Sequence, residues 1–281
     1  MKFARALLGG IPRLCVVDDT SGTLRPMPAD ITRLQQVIDD PKITTGAPFP
    51  LSGVTLLAPI LPERNIFCVG KNYHAHAREF SQSGFEAGAS KDKPVDDYPA
   101  IFTKPISSVI GHNMVVDLHP TVTDAVDYEA ELAVIIGKPG RNIDEADAWG
   151  HVWGYTIIND VTARDRQKNH KQWFMGKALD TFCPMGPWVV TADEVDGANL
   201  DISCHVNGEL RQQANTCDLI FTIPSLIATL SAGLALQVGD VISTGTPAGV
   251  GIGFDPPRFL KAGDLVEITI SGIGTLGNRF A

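Results

Sequence analysis

The chain has 281 residues, of which 44% are hydrophobic and 20% are charged, and its formal net charge is −9. The acidic balance and the lack of a basic tract argue against nucleic acid or an anionic membrane surface as a partner. No apolar run reaches about 18 residues, so we expect no transmembrane helix. Five cysteines without a CxxC pair and a start without a signal-peptide pattern lead us to expect a cytoplasmic protein.

Strand patterns dominate the chain after a distinct leading region. Residues 1–60 are predicted to form a small N-terminal domain, with strands at FARALL and RLCVVDD, a helix at ITRLQQVIDD and a Pro- and Gly-rich linker. Residues 61–281 contain short apolar runs between turns, among them NIFCVG, ELAVIIG, WGYTIIND, GPWVVT and DLVEITISGIG. Helix patterns are few: Tyr73–Phe80, IDEADAWGHV, VTARDRQ and PSLIATLSAGL. We therefore expect a mixed, strand-dominated α+β fold that closes into a roll or barrel.

Two glutamates and an aspartate form a candidate metal site. Glu129 and Glu131 are separated by one residue, so on a strand they point to the same side, roughly 6.5–7 Å apart. That side continues with Ala133 and Ile135, which indicates that the carboxylates turn inward, where they repel each other without a cation. Asp160 follows an apolar run as a natural third ligand, and such oxygen ligands suit Mg²⁺ or Mn²⁺. A solvated sheet edge for the glutamates and a helix cap for Asp160 are the alternatives.

His76 and Glu79 form a candidate general base. They lie three residues apart in GKNYHAHAREF, so on a helical turn they share a face. A carboxylate paired with an imidazole fixes its tautomer and raises its basicity. One alternative is a surface ion pair, and another is a metal-binding pair made by His74 and His76 on a strand.

Two further stretches contain candidate substrate-binding residues. Lys177 lies among apolar and aromatic residues, where an ammonium can bind an anionic substrate or stabilise an enolate. A Schiff-base lysine and a surface lysine are its alternatives. The Gly-rich STGTPAGVGIGF supplies Thr246 and backbone N–H groups that can cradle a carboxylate, or it forms a tight structural turn. For Arg164 and Asp165 we expect local ion pairs.

These stretches, in this order, resemble the fumarylacetoacetate hydrolase family over roughly residues 61–281. The series is G-K-N-Y-x-x-H-x-x-E, F-x-K-P, Y-E-x-E-L, N-D-x-T-A-R-D-x-Q, G-K-x-x-D-T-F-C-P-x-G-P and T-G-T-P-x-G-V-G. The resemblance implies a mixed β-sandwich roll, usually as a homodimer. It also implies a Mg²⁺ or Mn²⁺ ion held by Glu129, Glu131 and Asp160.

The resemblance implies roles for other residues as well. His76 and Glu79 would form the dyad that activates water, and Phe102–Pro105 would match a structural strand end. The polar stretch Ser81–Pro99 lies where family members have a mobile lid, and a long loop without regular period is often a lid. The oxo-acid end of the substrate would contact Lys177, Gln167 and Thr246.

The family acts on 2-oxo-carboxylates, and one such site supports several reactions. Our first expectation is hydrolysis of the C–C bond of a 2,4-dioxo acid, such as an acylpyruvate or an aromatic-catabolism product, to pyruvate and a carboxylic acid. The alternative is an isomerase or decarboxylase of an unsaturated 2-oxo-diacid, similar to an oxaloacetate decarboxylase or a 2-hydroxyhepta-2,4-diene-1,7-dioate isomerase. A non-catalytic metal-binding module is a third possibility, and the complete set of His76, Glu79 and Lys177 argues against it.

Overall fold

The computed structural model describes residues 1–39, 44–85 and 95–281, and within these residues strands dominate over helices. The mixed, strand-dominated α+β fold predicted from the sequence is confirmed. The first strands are β1 (Lys2–Leu8), β2 (Ile11–Asp18), β3 (Thr23–Pro26), β4 (Phe49–Pro50), β5 (Thr55–Leu57), β6 (Ile66–Gly70), β7 (Ala100–Lys104), β8 (Val109–Ile110) and β9 (Val126–Asp127). The remaining strands are β10 (Ala130–Ile136), β11 (Val152–Asn159), β12 (Thr162–Ala163), β13 (Cys183–Thr191), β14 (Asp201–Val206), β15 (Glu209–Asn215), β16 (Val241–Ser243), β17 (Leu265–Ile270) and β18 (Gly274–Arg279).

Within the described residues the helices are short; four of the five α-helices overlap helices that the sequence predicts, and the helix Phe174–Lys177 was not predicted. The α-helices are α1 (Leu34–Asp39), α2 (His74–Gln82), α3 (Arg164–Asn169), α4 (Phe174–Lys177) and α5 (Ile223–Ser231). Four stretches form 3-10 helices: Ile106–Ser108, Glu145–His151, Thr216–Asp218 and Gly251–Gly253. Within the described ranges, no helix has both the length and the apolar character needed to cross a membrane. All five cysteines are free thiols.

The strands form one large sheet and two smaller ones. The large sheet has the order β4-β3-β2-β1-β13-β11-β10-β16-β6-β7, with β5 beside β1 and β8 beside β13. A four-stranded sheet has the order β15-β14-β17-β18, and β12 pairs with β9. In the antiparallel pair of β10 and β11, Ala130 lies opposite Asn159. The start of β10 and the end of β11 are therefore neighbours: Glu131 lies in β10, Glu129 directly precedes that strand, and Asp160 directly follows β11.

Strand β10 lies at the centre of the molecule and is buried along its whole length. Leu132 and Val134 pack in a core that includes Ile268 of the four-stranded sheet, whereas Ala133 and Ile135 pack in a second core that includes Phe3. Such a strand, covered on both faces, has a continuous apolar sequence because each side chain is removed from water. The two acidic residues at its start are thus introduced into an otherwise apolar layer.

The N-terminal residues join the large sheet through β1. This strand pairs with β2 and β5 within the first 60 residues and with β13 beyond them, where Lys2 lies opposite Val190. The predicted linker after residue 43 contains β4 and β5, which the Pro- and Gly-rich sequence did not indicate. Their pairing partners, β3 and β1, lie elsewhere in the chain, so local composition carries no signal for them. The boundary at residue 60 stays a prediction.

Candidate active site

Three buried carboxylates meet where β10 begins and β11 ends. Glu131 lies in β10, Glu129 directly precedes it, and Asp160 directly follows β11. The backbone N–H of Asp160 donates to the carbonyl oxygen of Glu129 at 2.9 Å, which holds the two chain ends together. One oxygen of each carboxylate lies within 4.8 Å of the others, and all three residues are buried. The sequence-predicted ligand residues are therefore brought together, and the solvated-edge and helix-cap alternatives do not apply.

Two lysines compensate the negative charge of this cluster. The Lys177 ammonium, at the end of α4, lies 2.7 Å from Glu129 Oε2 and 2.7 Å from Asp160 Oδ2. The Lys104 ammonium lies 2.6 Å from Asp160 Oδ1 and also donates to the carbonyl oxygen of Val161 at 3.0 Å. Both lysines are buried, so Lys177 is not a surface residue. The sequence indicated a buried Lys177, but it identified Lys104 only as part of a structural strand end.

Arg164 is the third cation of the cluster, and its predicted local ion pairs are wrong. Its guanidinium lies 2.7 Å from Glu129 Oε1 and 2.8 Å from Asp127 Oδ2. Asp165 instead accepts a hydrogen bond from the Thr123 hydroxyl at 2.6 Å. The buried Nη2 of Arg164 has no hydrogen-bond partner among the described residues, and Arg164 lines the cavity above the carboxylates. Such an unsatisfied buried donor is costly unless a ligand completes it.

We call this set of six residues the carboxylate floor; its members are Glu129, Glu131, Asp160, Lys104, Arg164 and Lys177. Burial penalises the charged form of Glu129, but Lys177, Arg164 and His76 outweigh that penalty and lower its pKa to about 2. Burial, together with Asp160 and Glu129, raises the pKa of Glu131 well above its ordinary value. Burial opposes the charge of Lys177, but the facing carboxylates raise its pKa above the ordinary value.

The donor set of the floor fits a divalent cation. Three carboxylates supply hard oxygen ligands at the spacing given above, and the Lys177 ammonium already bridges two of them as a cation does. Glu131 Oε2 is oriented by the Ser243 hydroxyl at 2.5 Å and the Gly245 N–H at 3.1 Å. Supporting hydrogen bonds of this kind hold a ligand carboxylate in one position. Burial, Asp160 and Glu129 all disfavour the charged form of Glu131, so a cation held at the floor would favour its ionised carboxylate.

The candidate base lies on α2, as the sequence predicts. His76 Nδ1 lies 3.1 Å from Glu79 Oε2, and Glu79 Oε1 accepts the backbone N–H of Gly249 at 2.9 Å. If Nδ1 donates to the carboxylate, Nε2 carries the lone pair and is the nitrogen available to a substrate. His76 is 4% exposed and lines the same cavity as the floor, so the pair is not a surface ion pair. The alternative metal pair with His74 is wrong, because the segment is helical and His74 is exposed.

We call His76, Glu79 and the Gly-rich loop 249–253 the dyad wall. A Cβ atom on Gly253 would lie 1.9 Å from Glu79 Oε1, so only glycine leaves room for the carboxylate there. The loop is itself held by Asp127, whose carboxylate accepts the N–H groups of Gly251 at 2.6 Å and of Ile252 at 3.1 Å. Asp127 therefore connects the wall to Arg164 of the floor.

The other predicted substrate-binding residues also line this cavity. Gln167 Oε1 accepts a hydrogen bond from Arg164 at 3.2 Å, and Thr246 Oγ1 accepts one from Gln212 at 2.8 Å. Three aromatic rings complete the lining: Phe80, Phe102 and Trp173. Of the predicted lid Ser81–Pro99, residues 86–94 lie outside the described residues. Ser81 and Gln82 form the last residues of α2 rather than a loop.

Comparisons with known families match nearly the whole chain. The family described as fumarylacetoacetate (FAA) hydrolase C-terminal matches residues 65–281, and the family described as Rv2993c-like, N-terminal matches residues 1–59. The chain is 52% identical over 233 residues to oxaloacetate tautomerase YisK of Bacillus subtilis (strain 168), covering 82% of this chain and 74% of that protein. It is 46% identical over 230 residues to oxaloacetate tautomerase fahd2, mitochondrial, of Xenopus laevis, covering 81% of this chain and 68% of that protein.

Solved structures share both the fold and part of the sequence. A fumarylacetoacetate hydrolase from psychrophilic Exiguobacterium antarcticum matches with a TM-score of 0.84 and 41% identity, over 100% of this chain and 99% of that chain. A 2-hydroxyhepta-2,4-diene-1,7-dioate isomerase from Mycobacterium marinum matches with a TM-score of 0.79 and 37% identity, over 100% of this chain and 98% of that chain. The strand-dominated fold with a small N-terminal region is thus that of a known class of enzymes. The chain belongs to the fumarylacetoacetate hydrolase family, as its motifs indicated.

Proposed function

We propose that the protein is a divalent-metal-dependent tautomerase or isomerase whose substrate is a small 2-oxo-dicarboxylate of the oxaloacetate type. The observation that carries this proposal is that His76, whose Nδ1 pairs with Glu79, lines one cavity together with four residues of the carboxylate floor: Glu129, Glu131, Arg164 and Lys177. A base and a charge-stabilising cluster therefore face the same bound molecule. Two relatives that are 52% and 46% identical are named as oxaloacetate tautomerases, which supports the substrate class.

The residues of the site suit proton transfer at carbon. In ketonisation the enol oxygen loses one proton and C3 gains one, so no atom is added and no bond between heavy atoms breaks. His76 Nε2 can carry this proton, because Glu79 holds the opposite nitrogen and stabilises the imidazolium. Lys177 and the unsatisfied Nη2 of Arg164 supply positive charge where the enolate oxygen develops. A bound Mg²⁺ or Mn²⁺ would add Lewis-acid stabilisation of that same charge.

Hydrolysis of a 2,4-dioxo acid, which the sequence analysis places first, is the second candidate. It is favoured by the similarity to a solved fumarylacetoacetate hydrolase at 41% identity over the full chain. In this reaction His76 would take a proton from water instead of carrying one from the enol oxygen to C3. The two reactions use the same base, and they differ in whether a C–C bond breaks. Product analysis therefore separates them.

The test is to follow the enol absorbance of oxaloacetate with Mg²⁺ or Mn²⁺ present, while pyruvate and CO₂ are measured separately. We expect faster loss of the enol than in buffer alone, with no extra pyruvate. His76→Ala should slow this by about 10²–10⁴-fold, the usual contribution of a general base. His74→Ala, on the same helix but exposed, is the matched control and should leave the rate unchanged.

Two results would contradict the proposal. One is an enol decay that the wild-type protein does not accelerate, combined with stoichiometric pyruvate from an acylpyruvate, which would establish the hydrolase. The other is an equal loss of rate in His76→Ala and His74→Ala, which would show that the helix matters but the imidazole does not.

A further inference from the structure

Lys71 has a backbone conformation that few lysines adopt. It follows β6 with a φ of 55°, in the left-handed region, which is unfavourable for a residue with a Cβ. The next residue holds it there: the Asn72 amide donates to the carbonyl oxygens of Phe221 at 3.0 Å and Thr244 at 2.8 Å, and accepts the Phe221 N–H at 2.7 Å. Such conformations persist where the surroundings impose them, and they concentrate at functional sites.

The Lys71 side chain lines the cavity that contains His76 and Lys177. It is 8% exposed, and its ammonium lies 2.7 Å from Asp96 Oδ2, a side chain that is 47% exposed. The ion pairs of the floor differ from this one in exposure, because Lys177 pairs with carboxylates that are buried. A half-exposed carboxylate keeps much of its hydration and contributes little when paired, so exchanging Asp96 for another anion costs little.

The cavity lining beside Lys71 is apolar and closely packed. A Cβ atom on Gly70 would lie 2.0 Å from the Trp173 ring, so the indole lies directly on the backbone before Lys71. Trp173 in turn meets Phe102 edge-on, with ring centroids 5.4 Å apart. An ion pair formed against such a surface is less screened by water than one in solvent. The surroundings of Lys71 therefore favour an anionic group that enters the cavity.

We propose that Lys71 binds the distal carboxylate of a short dicarboxylate substrate, in the place that Asp96 occupies in this structure. The proposal rests on the proposed function in one respect: the substrate carries a second carboxylate in addition to its 2-oxo-acid end. The 2-oxo-acid end belongs at the carboxylate floor, where Lys177 and Arg164 supply charge. Lys71 then makes the protein selective for dicarboxylates over monocarboxylates.

The test compares binding of malate and lactate, two unreactive 2-hydroxy acids that differ by a distal carboxylate, using calorimetry with Mg²⁺ present. We expect the wild type to prefer malate. Lys71→Met should weaken malate binding by about 10- to 100-fold, which corresponds to one charge-assisted hydrogen bond, and should leave lactate binding unchanged. Lys71→Arg keeps the charge and should retain most of the preference. Unchanged lactate binding also shows that the variant site is folded.

Asp96→Asn gives the sharper test, because the expected change has the opposite sign. It removes an anion that competes for Lys71, so malate binding should become a few-fold tighter while lactate binding stays the same. If the lysine and aspartate only formed a structural bridge, both variants would weaken binding alike, and this outcome would overturn the proposal. A malate preference that survives in Lys71→Met would also overturn it. If the Lys71-dependent preference is found without oxaloacetate turnover, the tautomerase proposal fails and the subsite remains.

Discussion

The two sides of the active-site cavity are built in different ways. The carboxylate floor consists of buried charges from the centre of the large sheet and its flanking helices, and Glu129 alone contacts Lys177 and Arg164. The dyad wall consists of one short helix and a Gly-rich loop, joined by the hydrogen bond from the Gly249 N–H to Glu79 and by packing of Phe80 against Val250 and Ile252. The floor is thus held mainly by buried ion pairs, whereas the wall is held by backbone hydrogen bonds and apolar packing.

This difference separates two kinds of role. Buried ion pairs hold a fixed electrostatic field, because breaking one of them leaves an uncompensated charge inside the protein. A base that must accept and release a proton needs correct position but also freedom to adjust to the substrate. We therefore expect changes on the floor to remove activity outright, and changes on the wall to reduce it by degrees.

Removal of the divalent cation from the floor should have the largest effect on catalytic activity. After treatment with a chelator, we expect activity to fall by at least about 10³-fold, because Lewis-acid stabilisation contributes several kcal/mol to such reactions. Mg²⁺ or Mn²⁺ added back should restore it, and metal analysis should show loss and return of the ion. Full turnover by protein with no detectable metal would refute the assignment of Glu129, Glu131 and Asp160 as ligands.

Adding a methyl group at Gly253 of the dyad wall should have an intermediate effect on catalytic activity. Gly253→Ala places a Cβ atom within 1.9 Å of Glu79 Oε1, so the flexible carboxylate must move away from its position beside His76. We expect kcat to fall by about 10²-fold with little change in KM, the consequence of a displacement of about 1 Å in a catalytic group. Gly150→Ala is the control, since nothing lies near its Cβ position. Equal activity of the two variants would show that the position of Glu79 is unimportant.

The sequence predicted the members of the site whose relation is local. Glu129 and Glu131 are separated by one residue, and His76 and Glu79 by one helical turn, so strand and helix periodicity alone relates the side chains. Asp160 was predicted from its place at the end of an apolar run. These predictions hold because burial and backbone pairing in the fold keep the local geometry that the periodicity assumes.

Of the three cations that compensate the site, the sequence indicated Lys177 but did not predict Lys104 or the long-range pairing of Arg164. Lys104 pairs with Asp160, which lies 56 residues away, and Arg164 pairs with Asp127, which lies 37 residues away. Such pairs are determined by how strands and helices pack, and the pattern around Arg164 instead favoured nearby partners. The short strands β4 and β5 were missed for the same reason, since their pairing partners are distant. Local periodicity therefore describes the ligands of the floor but not the cations that balance them.

Neutralising Glu131 on the floor should produce the smallest of these effects, a change in the free energy of unfolding. The sign of this change depends on whether the cation is bound. Burial, Asp160 and Glu129 raise the pKa of Glu131, so in metal-free protein the native state holds this proton to higher pH than the unfolded state does. The stability of the metal-free wild type should therefore fall as pH rises above about 4.3, the ordinary glutamate pKa. Glu131→Gln has no proton to lose there, and its amide oxygen can still accept from Ser243 and Gly245.

We expect the free energy of unfolding of Glu131→Gln in chelator to exceed that of the wild type increasingly as pH rises above about 5, by on the order of 1 kcal/mol. Denaturant unfolding at several pH values measures this difference. With Mg²⁺ present the order should reverse, because the ion stabilises only the protein that keeps all three carboxylates. Parallel pH profiles of the two proteins in chelator would mean that burial and the neighbouring carboxylates do not raise the pKa of Glu131. In that case the cation would be required for catalysis but not to relieve repulsion within the sheet.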